Sequence, residues 1–96
     1  MVAYSVENHV QDSSNFYDVT LISDYKLFFS FHAALEYARA LAQNAANVQE
    51  VMGRKAHIHE SREEYARRVI ITVVSDDPQN RRSRVAEIHV TEVPIN

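Results

Sequence analysis

The string His57-Ile58-His59-Glu60 carries two imidazoles two residues apart. In a strand that spacing turns both rings to one side, where they can reach a single metal ion. His9 and His89 fall at outward positions of two other alternating segments and could complete such a site if those strands are neighbours. The chain has no Cys, and none of the usual structural-zinc spacings occurs. The expectation is no metal and no other cofactor, with His57 and His59 as the candidate ligands to check.

General acid–base chemistry needs paired carboxylates in a pocket. Asp76-Asp77 and Glu63-Glu64 are adjacent pairs, but both lie in turn-like stretches where solvent screens them. Nucleophilic catalysis needs a Ser beside a base and an oxyanion hole. The Ser residues sit in turns and caps, with no G-x-S-x-G context, and one Gly in the whole chain leaves no phosphate-cradling loop. The chain is expected not to be an enzyme.

The arginines form a third group. Arg81, Arg82 and Arg84 crowd one turn, Arg67 and Arg68 open a strand, and Arg54-Lys55 follow a helix. Converging at one end of a sheet, they would suit phosphates. Acidic residues accompany them, however, and the strands lack the interleaved aromatics that stack unpaired bases. Arg is also enriched among the hot spots of protein interfaces. The expected partner-binding residues are therefore Arg81, Arg82 and Arg84, then Arg67 and Arg68. A protein partner comes first, and direct nucleic-acid binding through the Arg-rich turn is the alternative.

One long helix must organise these groups. Phe31, Ala34, Ala38, Leu41, Ala45, Val48 and Met52 recur at spacings of three and four, and Leu35 and Ala42 widen the stripe. Ser30 is placed to cap its start, and Gly53 to take a left-handed conformation just past its end. Val2 to Val10 alternates as a half-buried strand, with Val2, Tyr4, Val6 and Val10 on one face. Residues 11–15 are turn chemistry, Phe16 to Ser23 is a second strand with Tyr17, Val19 and Leu21 on one face, and Ser23-Asp24 is a break. Residues 25–29 are an aromatic run, either strand or approach to the helix. Residues 54–68 are charged, and Ser61 and Glu64 have capping-box spacing, so a helical turn and an irregular connection are both open. Arg67 to Ser75 is the clearest strand, apolar on both faces and so interior. Residues 76–80 are a turn, and Arg84 to Val93 alternates until Pro94, with Ala86, Ile88 and Val90 inward.

The predicted order is ββαββ: an α+β fold in which a four-stranded antiparallel sheet carries the helix on one face. Ile70, Val74, Ile22 and Val85 would lie on the other face as an apolar patch of the kind that marks an interaction surface. Residues 54–68 folding back over that patch would be the alternative, and either outer strand could also pair with a second copy as a homodimer. The 96 residues are expected to form a single domain, 1–96. No signal peptide and no span long enough for a bilayer is read, and net charge of −3 offers no global attraction to nucleic acid or anionic lipid. A cytoplasmic location, with no membrane partner, is expected.

The absence of Cys, the dearth of Gly and the helix Phe31-His32-Ala33-Ala34-Leu35-Glu36-Tyr37-Ala38-Arg39-Ala40-Leu41-Ala42 following a hairpin give the chain a recognisable style. It resembles the very small proteins encoded by bacteriophages and mobile elements, among them the anti-CRISPR inhibitors. Those inhibitors share no common signature, so no residue roles carry over. The resemblance implies a non-enzymatic phage-type inhibitor that occludes a site on a host effector complex, such as a CRISPR effector ribonucleoprotein, in the bacterial cytoplasm.

Overall fold

Val2–Asp12 (β1), Val19–Phe28 (β2), Phe31–Val51 (α1), Lys55–Glu63 (β3), Arg68–Asp76 (β4) and Arg82–Pro94 (β5) follow one another along the chain. The structure is a computed structural model that describes residues 1–12, 19–64, 67–79 and 81–95, with side chains left out for residues 10–12 and 19–24. Expectations for residues 13–18, among them Tyr17, and for the side chain of Ile22 lie outside the described residues.

The fold is α+β, with the helix packed on an antiparallel sheet. The sheet has five strands rather than four, in the order β2-β1-β5-β4-β3, so the element order is ββαβββ. The additional strand is β3. Its residues are mostly exposed, because it is an edge strand whose sole strand neighbour is β4. Ala56 and Ile58 alternate with His57 and His59, but Glu60 and Arg62 then occupy the helix-facing positions where apolar residues would signal a strand. The backbone ladder to β4 and contacts with α1 hold it instead. Residues 55–63 therefore extend the sheet and do not cover its open face.

Strand β2 also runs longer than the pattern suggests. It passes through Ser23-Asp24, where its register with β1 shifts between Asn8 and His9. A β-bulge absorbs the break signal, since one extra residue bends a strand without ending it. The turn expected at 76–80 starts later, since Asp76 closes β4, and Asn80 lies outside the described residues. Asp77 Oδ1 accepts from the backbone N–H of Gln79 and of Arg81, both at 2.9 Å.

Helix α1 is capped at both ends. Ser30 Oγ accepts from Ala33 N–H at 3.2 Å. At the other end Gly53 has φ 79°, Arg54 N–H reaches Gln49 O and Gly53 N–H reaches Glu50 O, which is a Schellman motif. The buried row is narrower than the stripe read from the sequence: Ala34, Ala38, Ala42 and Ala46, spaced by four, with Leu35 beside them. Val48 and Met52 are exposed. Four alanines bring the helix backbone close to Val6, Val69, Ile71, Val73, Ala86, Ile88 and Val90 of the sheet. Fully burying each large aliphatic side chain there contributes about 1.5–3 kcal/mol.

Register fixes what faces away from the helix, because directly paired residues share a side. Ile70 and Val74 do lie on this open face, but Ile70 is flanked by His89 and Ser61, and Val74 by Arg84 and His57. Val85, beside the bulge between Val73 and Val74, packs against the core cluster instead. The expected apolar patch is thus broken into a mixed polar surface. Uncharged apolar exposure gathers elsewhere, at Tyr25, Leu27 and Phe29. Among the described residues no helix is long and apolar enough to cross a membrane.

Candidate functional site

The two arginine groups sit at opposite ends of β4, about 26 Å apart for nine residues at ~3.3 Å each. They do not converge. Arg54 and Arg81 meet at one end, lining a small cleft of about 250 Å³ with Ser75, Asp77 and Ser83. Arg67 and Arg68 belong to the other end.

At the first end every arginine of the turn is already matched. Arg81 Nε donates to Asp77 at 2.8 Å, Arg82 Nε to Asp76 at 3.0 Å, and Arg84 Nη1 to Glu87 at 2.8 Å. The Arg82 hydrogen bond, followed by that from His57, holds the Asp76 carboxyl below the usual range. Asp77 is lowered first by the Arg81 backbone N–H and then by its side chain. Hydrogen-bond donors to the charged form make these two carboxylates fixed acceptors. A phosphate arriving here would have to displace them.

The second end is built differently. A cleft of about 370 Å³ lies beside the start of α1, with Tyr4, Phe31 and Val69 supplying apolar walls and both signs of charge at its rim, Arg62, Arg67 and Arg68 with Glu63, Glu64 and Glu92. The Tyr4 and Phe31 rings meet edge-on at 5.4 Å between centroids. Arg62 stands over Phe31, its guanidinium 5.7 Å from the ring centroid, and forms no salt bridge with any described carboxylate. Arg68 donates to Glu63 at 2.6 Å, and Arg67 to Glu92 at 3.1 Å. Arg67 has φ 48°, in the left-handed region that disfavours a side chain. Its backbone O also accepts from Glu92 N–H at 3.2 Å, so β5 pins the strained residue by main chain and side chain.

Helix α1 is tied to β3 beside this cleft. Arg39 Nε and Nη2 each donate to Glu60 at 2.9 Å, a fork-to-carboxylate geometry. That contact lowers the Glu60 carboxyl and raises Arg39. It helps to set the position of Phe31, two turns earlier on the same helix.

His57 and His59 share the open face of β3, as their spacing required, but His57 Nε2 bonds Asp76 at 3.1 Å. His9 and His89 are on neighbouring strands, stacked at 4.4 Å, and each bonds a carboxylate on its own strand: Glu7 at 3.0 Å and Glu87 at 2.6 Å. Strand β4 separates this pair from β3. Among the described residues no three His, Asp or Glu side chains are grouped so as to hold a metal ion. Glu87 is lowered first by the His89 hydrogen bond, then by the charges of Arg84 and His9.

Of the cleft, the sequence singled out Arg67 and Arg68 and missed Arg62, Phe31 and Tyr4. Arg62 stood in a string read for its capping spacing, and the two aromatics stood in apolar stripes assigned to the core. No local signal unites residues 4, 31 and 62. Comparison with family models, with curated proteins and with solved structures gives no match to this chain.

Proposed function

We propose that this chain is a non-enzymatic protein-interaction module, a small inhibitor that occludes a site on a protein partner and engages it through the Arg62–Arg67–Arg68 cleft. The observation that carries this reading is Arg62, backed by an aromatic ring and in salt bridge with no described carboxylate, in a cleft with Tyr4, Phe31 and Val69 among its walls. A guanidinium so placed recognises an acidic group next to an apolar one, the usual chemistry of an arginine hot spot. Arg81, Arg82 and Arg84, being locally neutralised, take a secondary part. The same neutralisation and the net charge of −3 favour protein over nucleic acid. The inhibitor class, with an effector complex as target, rests on the resemblance of the sequence to small phage and mobile-element proteins.

The test is capture from a bacterial lysate containing CRISPR effectors, with and without nuclease, by the wild type and by Arg62→Glu. The expected result is a stoichiometric protein retained after nuclease, lost with Arg62→Glu, and inhibited by added wild-type chain without turnover. Equal capture by both forms would remove the cleft from the reading. Binding abolished by nuclease would point to nucleic acid or an RNA-held partner, and recovery of bait alone would end the proposal. Arg82→Glu is a poor probe, because it sets a second carboxylate against Asp76 and lowers stability as well.

A further inference from the structure

The two edges of the sheet are defended unequally. β3 presents Lys55, His57, His59 and Glu63 on the open face and Glu60 and Arg62 on the helix face. Charged side chains along an edge hinder the docking of another strand. β2 has no such guard over residues 25–29. Tyr25 and Leu27, opposite Glu7 and Ser5, lie on the open face, and Phe29 follows in the bend just past the end of β2; they are 55%, 52% and 75% exposed. The one charge in this segment, Lys26, points to the helix side, where its ammonium lies 5.4 Å from the Phe28 ring and 5.0 Å from the Tyr37 ring. An apolar strip thus borders a row of open backbone donors and acceptors.

We propose that β2 pairs antiparallel with β2 of a second copy of this chain, about a two-fold axis at Leu27, so that one sheet runs through both protomers. Self-complementarity argues for a copy as the occupant. With the axis at Leu27, the two Leu27 side chains face each other and, as pairing extends β2 by one residue, Tyr25 meets the other copy's Phe29 twice. Lys26 then falls opposite the other copy's Phe28 on the second face. Moving the axis by one residue to Lys26 would oppose two ammonium groups, so the register is selected by charge. At 150–250 Å² for an aromatic side chain, these exposures leave roughly 300–350 Å² of apolar surface per copy, the size of a functional patch. Both patches together with the two backbone edges approach ~1,000 Å², the size at which an interface becomes specific, if weak. Arg62 and Arg68 of the cleft stand on β3 and β4, away from the β2 edge, while its Tyr4 wall adjoins Phe28 of β2. The proposal rests on the exposed β2 edge and not on the cleft reading.

Sedimentation of the full chain from ~1 to ~500 μM is expected to show the mass doubling with concentration. Leu27→Glu, which opposes two carboxylates across the axis, should weaken dimerisation tenfold or more. Ser61→Glu on the open face of β3 should leave it unchanged. Because an altered Leu27 could also disturb folding, amide exchange on the wild type gives a second readout. Amides of residues 25–29 should slow as concentration rises, and those of β3 should not. A wild type that stays monomeric throughout, an unaffected Leu27→Glu dimer, or protection that appears on β3 instead would each overturn the proposal.

Discussion

Replacing Ala38 by Leu probes the contact on which the architecture depends. Ala38 is fully buried and stands in the middle of the alanine row that lets α1 lie close to the sheet. Three added carbons have no void to enter. The helix must lift or neighbouring side chains must leave their rotamers, at a cost of typically 1–3 kcal/mol, and the slightly lower helix propensity of Leu adds a few tenths. For a domain of this size each kcal/mol moves Tm by about 4–8 °C, so a fall of roughly 5–20 °C is expected in a thermal melt. Ala40→Leu, exposed on the same helix, should stay within ~0.5 kcal/mol of the wild type. Ala38→Gly should also destabilise, by about 1 kcal/mol of helix propensity, so the position fails in both directions. Lifting the helix would also separate Phe31 from Tyr4 and open the cleft. An Ala38→Leu protein as stable as Ala40→Leu would refute the close-packed alanine face.

Acid should weaken the fold in a defined sense. Glu60, Asp76, Asp77 and Glu87 are all lowered in the folded chain, so the unfolded chain binds more protons and stability rises with pH through their titration. Their contribution is complete above the ordinary carboxylate range and disappears as pH falls through the lower folded values, giving a drop in Tm below about pH 4. Glu87→Gln should flatten this acid limb; an identical limb in wild type and variant would discount the contacts from His89, Arg84 and His9. Beside Asp76 in β4, the Ser75 hydroxyl is buried with no hydrogen-bond partner among the described residues. Ser75→Ala removes an unsatisfied polar group and should leave the urea midpoint unchanged or raise it, by up to ~1 kcal/mol in stability. A clear loss of stability would mean that the hydroxyl has a partner.

Local chemistry decided much of this chain. The spacing of apolar residues fixed the helix and the inward faces of β4 and β5, because burial on one face repeats at the helical or strand period, whereas in β1 Ala3 and Ser5, read as outward, are buried as well as Val6. Ser30, Gly53 and the Asp77-Pro78 turn were legible too, since capping and turn formation depend on the residue's own backbone and near neighbours. β3 was not legible. An edge strand with little buried surface is held by its ladder to β4 and by Arg39 on the helix, which no period records. The break at Ser23-Asp24 became a bulge only because β1 was there to pair with it.

Tertiary structure decided which charges remained available. Acidic residues near Arg81, Arg82 and Arg84 were visible in sequence, with Asp77 and Glu87 four and three residues from their partners, but only the β4–β5 pairing sets Asp76 against Arg82. Arg62 looked ordinary, and folding placed it over Phe31 without a salt bridge to any described carboxylate. Composition counts charges, whereas screening and pairing act over a few ångströms, and only the folded chain sets those distances.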